Sequence, residues 1–264
     1  MRKVFFFLCA IPLVILSQEA TIISTPVNPS RLFASPTAEV MHSLDILLSG
    51  GGTFGTSEER YFLGLITIGF GDIAEISFTT GSVINELMNR STIMPASIVK
   101  VKLWPEQGFL PACAWYVEKT RWNIEGNYYT RYSFLYLSLS KTLGFLHLHG
   151  GVKATDLRAK YGEEGQEVKR SFAGPFFGIE IDANPRTKMI FETTIFEKVN
   201  YGEGMIRERD LSVVRGYMAG FRFFLTNWIS IDGMVLYRDD FKGIADALIR
   251  TGINLAIPLA KTYK

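Results

Sequence analysis

The sequence predicts an all-β chain, a transmembrane antiparallel up-and-down β-barrel of about twelve strands. Three observations carry that prediction. Segment after segment alternates apolar and polar residues with a period of two, the period of a strand. The connections between these segments are long and short in turn. Aromatic residues gather at the segment ends, where a bilayer has its interfaces.

The strands are expected, in order, at 42–52, 61–69, 73–79, 98–104, 111–119, 129–139, 145–152, 172–182, 188–197, 213–225, 229–237 and 248–259. In 73–79, Ala74, Ile76 and Phe78 share one face while Glu75 and Ser77 share the other. In 172–182, Ala173, Pro175, Phe177, Ile179 and Ile181 stand opposite Gly174, Gly178, Glu180 and Asp182. In 213–225, Tyr217, Ala219, Phe221, Phe223 and Leu225 stand opposite Gly216, Gly220 and Arg222. The gaps 53–60, 80–97, 120–128, 153–171, 198–212 and 238–247 are long; 70–72, 105–110, 140–144, 183–187 and 226–228 are short. In a meander, alternate gaps fall at opposite ends, so one end carries tight turns and the other long loops. Gly69-Phe70-Gly71-Asp72, Asn184-Pro185-Arg186 and Thr226-Asn227 have turn chemistry. Phe70, Trp104, Phe109, Phe145, Trp228 and Tyr263 would form a belt at the short-turn end. Tyr61, Trp122, Tyr128, Tyr129, Phe172 and Tyr237 would form one at the loop end. Ten or fourteen strands are the alternative counts, to within about two. The rival architecture is a soluble periplasmic β-sandwich, which also alternates but need not collect its long loops at one end.

Residues 1–20 are expected to be a signal peptide: basic Met1-Arg2-Lys3, an uncharged run from Val4 to Leu16, then Ser17-Gln18-Glu19-Ala20. The run is shorter than the roughly 20 apolar residues that a spanning helix needs. Residues 21–41, with Pro26, Pro29 and Pro36, are expected to be an extended periplasmic leader, and 42–264 the barrel. Lys+Arg number 28 against 26 Asp+Glu, which lacks the basic surplus of a nucleic-acid binder. With 47% hydrophobic residues the chain is not disordered. Of two cysteines, only Cys113 lies beyond the signal segment, so no intrachain disulfide is expected in the mature chain.

Continuing the alternation inward gives a candidate lumen lining of Asp45, Glu75, Lys100, Lys102, Glu118, His147, His149, Glu180, Asp182, Lys188, Glu192, Arg222 and Asp232. Lys153 and Arg238 belong to the same set. Both signs are present in near balance, as expected of a polar lumen. These charges serve either as cross-strand ion pairs or as a solute path.

Other motifs carry less. Gly50 to Gly55 matches GxGxxG, but a strand follows where a dinucleotide site needs a helix. His147 and His149 share a face and are weak metal candidates; no third ligand is assigned. A hydrolase would need a nucleophile such as Ser138 or Ser140 beside them, and the chain has no His-x-Ser arrangement. Thr155 to Lys169 is the best helical window, interrupted by two glycines. The loops 153–170 and 201–210 are rich in both charges and expected to be solvated. Asn89-Arg90-Ser91 is read as a chance sequon.

The last strand, with Ile253, Leu255, Ile257 and Leu259 on one face and Tyr263 near its end, resembles the terminal strand of bacterial outer-membrane β-barrels. Lys261 interrupts its apolar row, and Lys264 follows the aromatic. That resemblance covers nearly the whole mature chain and implies the outer membrane, its lipid bilayer and its assembly machinery as surroundings. Ser35-Pro36-Thr37-Ala38-Glu39-Val40, followed by a glycine-bearing strand, resembles the opening of YjbH-type barrels, which implies a link to exopolysaccharide. The expected function is a non-enzymatic, porin-like narrow pore for small polar solutes, with no cofactor and no nucleic-acid partner. The alternatives are an accessory barrel with an occluded lumen that binds polysaccharide or a partner through its loops, and an outer-membrane hydrolase.

Overall fold

The computed structural model describes residues 26–54, 63–79, 96–120, 122–201 and 205–259. The signal segment, Tyr61, Tyr263, the sequon and residues 55–62 and 80–95 lie outside the described residues. Thirteen strands are present: β1 (Asp45–Phe54), β2 (Leu63–Phe70), β3 (Ala74–Thr79), β4 (Ala96–Trp104), β5 (Ala112–Thr120), β6 (Asn123–Glu125), β7 (Tyr128–Leu143), β8 (Leu146–Tyr161), β9 (Val168–Asn184), β10 (Thr187–Val199), β11 (Leu211–Phe224), β12 (Ile229–Arg238) and β13 (Leu248–Pro258).

Each strand pairs with its sequence neighbour except β5 with β6; β1 pairs with β13, and β5 pairs with β7 past the three-residue side strand β6. The result is a closed, antiparallel, up-and-down barrel of twelve strands, as the alternation predicts. β1 and β13 seal it, in register from Asp45↔Pro258 to Phe54↔Ile249. Closure joins the first strand to the last, which removes the open ends of the sheet, as a bilayer demands.

Tight turns at residues 144–145 and 185–186 lie at one end of the barrel. Gly144 there takes φ +66°, a left-handed conformation that a two-residue turn requires. The other end carries the longer connections, including 200–210 and 239–247.

The outward face is apolar. Val117, Leu137, Phe177, Phe191, Phe221 and Ile253 are all exposed on it. Phe109 and Phe145 are bare at the short-turn end, with Phe70, Trp104 and Trp228 beside them. At the loop end the expected belt differs. Tyr128 and Phe172 turn inward instead and pack on buried Leu157, Ala159, Ile206 and Leu211. An apolar cluster inside the barrel offers them more burial than the interface does.

Two further expectations are corrected. Residues 153–161 and 168–170 are not a solvated loop, nor is 155–169 a helix: β8 and β9 extend through them as a ladder running to Ala159↔Val168. Leu157 and Ala159 on the inner face alternate with Asp156 and Arg158 on the outer, and that period of two overrides a weak helical pattern. The 26–41 segment does not stand clear of the barrel as a leader. It lies inside it.

Candidate functional site: the occluded lumen

The segment enters at the short-turn end, where Val27 N donates to Asn227 O at 2.8 Å. It dips into the lumen, reverses between Arg31 and Pro36, and returns to the same end, where Leu44 N donates to Gly69 O. Near its return His42 meets Asp72 at 3.1 Å. Two inward glycines make room for it. A Cβ on Gly178 would stand 2.2 Å from Leu32 Cδ1, and one on Gly69 would stand 2.1 Å from His42 O.

Four ionic centres of the wall grip this hairpin. The Glu192 carboxylate, 4% exposed, accepts the successive N–H groups of Phe33, Ala34 and Ser35 at 2.9, 3.0 and 2.7 Å, a backbone nest around an anion. Glu75 accepts Ser30 Oγ at 2.7 Å and Met41 N at 2.9 Å, and pairs with Lys100 at 3.2 Å. Lys100 Nζ also donates to Ser30 O at 2.6 Å. Arg222 forks onto Asp232 at 2.8 and 3.1 Å and donates to Asn28 Oδ1, Arg31 O and Leu32 O. Glu180 accepts Asn28 Nδ2 at 3.2 Å and pairs with Lys188, which also pairs with Asp182. Burying such charges is costly unless they are paired or hydrogen-bonded; Glu75, Glu180 and Arg222 are ion-paired, and Glu192 is held by backbone N–H groups alone. On the far side Ser138 Oγ donates to Pro36 O, and Ala38 N donates to Ser140 Oγ.

The remaining predicted residues sit around this grip. Asp45 is buried at the start of β1. Lys102 points inward and makes no ion pair among the described residues. Glu118 accepts Tyr116 Oη at 2.6 Å. His147 Nε2 lies 2.9 Å from Asp182, and His149 Nδ1 lies 2.8 Å from Ser140 Oγ. The two imidazoles are each engaged with a different partner, and no group of three metal-type ligands forms among the described residues. The Ser140–His149 contact has the reach of a nucleophile and base. Both are buried, however, and Ser140 Oγ is already used by Ala38, so a substrate carbonyl has no place beside it.

Toward the loop end the filling turns apolar, which the expectation of a polar lumen throughout did not include. The β9–β10 ladder stops at Thr193↔Phe177. Beyond it β10 turns into the lumen. Glu197 reaches Lys153 at 2.8 Å and Thr155 Oγ1 at 2.9 Å across it, and Ile195 packs over Gly174. Ile206, from the connection before β11, seals one apolar cluster. Phe33 from the hairpin and Phe241 from the β12–β13 loop meet in another, around Met218, Leu236 and Leu248. The lumen is filled: Lys100, Leu157, Leu211 and Arg222 have no exposed surface.

Asn28, Ser30, Phe33 and Ser35 were missed as site residues, as were Glu197, Ile206 and Phe241. The inward glycines Gly69 and Gly178 were the one available signal, since a wall that thins inward leaves space for another chain segment.

No family model matches this chain, and no curated protein matches it by sequence. The YjbH-type resemblance gains no support from these comparisons. Solved structures similar to it are barrels. The NanC porin aligns with TM-score 0.48 and 11% identity over 80% of this chain and 98% of that one. The translocator domain of the autotransporter NalP from Neisseria meningitidis aligns with TM-score 0.45 and 9% identity over 81% and 88%. The Acinetobacter baumannii outer membrane protein Omp33 aligns with TM-score 0.39 and 12% identity over 83% and 99%. The barrel itself rests on the chain's own strand pairing.

Proposed function

We propose that this chain is a non-enzymatic, porin-like barrel of the bacterial outer membrane, closed at rest. In this reading residues 1–20 direct export, the outer-membrane assembly machinery reads the β13 end, the tight turns face the periplasm and the loops face outward. Its passage for small polar solutes opens when the hairpin 26–41 and the inward-turned loops leave the lumen. The observation that carries the reading is the grip of Glu75, Lys100, Glu192 and Arg222 on the hairpin. A barrel filled once and for all is at least as stable with apolar contacts there. Charges of both signs on the wall become a hydrated path once the hairpin withdraws.

A second reading is a permanently occluded accessory barrel that presents its loops to polysaccharide or a protein partner. The apolar layer around Ile206 and Phe241 favours it, because that layer offers no polar path.

Planar-bilayer conductance separates the two. The full chain should be silent. A chain lacking 26–41 and carrying Ile206→Ser and Phe241→Ser should conduct, with ion selectivity altered by Lys100→Glu. Steady conductance by the full chain refutes closure at rest. Silence from the opened variant, once inserted and folded, leaves the accessory reading.

A further inference from the structure

On the outer surface of β4, β5, β7 and β8, at the loop end, two cations face the ring of Trp122 and a third lines a hollow beside it. The Arg131 guanidinium lies 5.2 Å from the Trp122 ring centroid, and Lys160 Nζ lies 5.6 Å from the same ring and 5.0 Å from that of Tyr129. Lys119, exposed, lines a hollow of about 510 Å³ together with Trp122, Arg131, Thr120 and Ser97. Among the described residues no carboxylate pairs with Lys119, Arg131 or Lys160, although Lys160 also donates to the Glu163 carbonyl. The neighbouring Arg158, opposite Arg131 in the β7–β8 ladder, is by contrast taken up by Asp156 at 3.1 Å and Glu167 at 3.0 Å. Cations crowded together without acids repel one another, so an anion bound among them relieves a standing cost.

The position says which anion. One same-face step below Lys119, and two below Arg131, stand Val117 on β5 and Val99 on β4, with Leu135 on β7, all exposed and apolar. Cations and amphipathic rings directly above a lipid-facing aliphatic wall match an amphiphile lying against the barrel, its head at the cations and its chains on the wall.

We propose that Lys119, Arg131 and Lys160 around Trp122 form a binding site for the anionic phosphate head of a membrane lipid. The site rests on the wall being lipid-facing, and it is independent of whether the lumen ever conducts. A phosphate oxygen accepts from Arg131 and from the two ammonium groups, and Trp122 holds the cations in place by its ring face.

The test is native mass spectrometry of the full refolded chain in a neutral detergent, offered dimyristoylphosphatidylglycerol and dimyristoylphosphatidylcholine in equal amounts. The glycerol lipid should be retained over the choline lipid. The triple variant Lys119→Gln, Arg131→Gln, Lys160→Gln should lose that retention by about a hundredfold, roughly fivefold for each cation. Arg215→Gln, a change on a different part of the wall, should leave it intact. If the triple variant does not fold, Lys119→Gln and Lys160→Gln alone should each weaken retention. Equal retention of both lipids, or retention undiminished in the variants, overturns the proposal. Displacement of the lipid by inorganic phosphate at matching concentration overturns it in favour of a free-anion site. Binding of an acidic polysaccharide but not of the lipid overturns it in favour of that polymer. Failure of the chain to insert into vesicles at all is a separate result, and it tells against the lipid-facing wall itself.

Discussion

The Glu192 carboxylate on β10 holds Ser35 of the N-terminal hairpin through its backbone N–H at 2.7 Å, deep inside the barrel. The two residues are 157 positions apart. This contact, with the adjacent N–H groups of Phe33 and Ala34, turns a proline-bearing segment into a plug.

Removing that anion should free the hairpin tip. Glu192→Leu leaves three N–H groups without an acceptor, that of Ser35 fully buried and costing about 1–3 kcal/mol. The expected outcome is rapid labelling of a Ser35→Cys reporter by a water-soluble maleimide in the variant, against protection in the parent. Equal labelling in both would show that Glu192 does not anchor the tip.

Lys100 and Glu75 form a pair with almost no exposed surface, 0% and 5%. Lys100→Ala should therefore destabilise the barrel by about 3–5 kcal/mol, since it strands a buried carboxylate. The double variant with Glu75→Ala should recover part of that loss in urea unfolding from lipid. Additive losses would mean that the two side chains are not energetically coupled.

The outward face should resist charge. Phe177 is 48% exposed on the wall, and Leu255 shares its outward parity. Arg at either should cost about 2–4 kcal/mol if it lies at the bilayer midplane. Gly178→Val acts differently, by driving Leu32 and the hairpin from their seat. Maleimide access to Ser35→Cys should rise for Gly178→Val and stay low for the two Arg variants that fold.

The short-turn rim carries a pH-sensitive clasp. Lys141 Nζ donates to Glu106 at 2.7 Å, and Thr142 N adds a further bond. Despite some desolvation, these bonds hold the Glu106 carboxyl below its ordinary 4.5. A depressed carboxyl stabilises the fold above the unfolded value, and that contribution disappears as pH falls from 4.5 through the folded value. Glu106 is partly exposed to solvent, so the effect should be small. Melting temperature should fall more steeply below pH 4.5 in the parent than in Lys141→Met. Parallel curves would exclude the clasp.

The strands themselves were legible because alternation is local. Ala74, Ile76 and Phe78 against Glu75 and Ser77 declare a two-faced strand without reference to any other residue. Each of the twelve expected segments became a barrel strand; the main additions are the loop-end extensions of β8 and β9, the extension of β7 to Leu143 at the short-turn end, and the side strand β6. The inward parity of Glu75, Lys100, Glu180, Glu192 and Arg222 follows from the same rule. The contents of the lumen did not follow. Residues 26–41 have no periodicity, and their partners on β3, β4, β7, β9, β10, β11 and the β11–β12 turn are brought around them only when the barrel closes. The inward turn of β10 beyond Thr193 is likewise settled by where Lys153 can meet Glu197. Sequence determined which side of each strand faces in. Only tertiary structure decided what those sides enclose, because burial of charge is satisfied by partners that are distant in the chain.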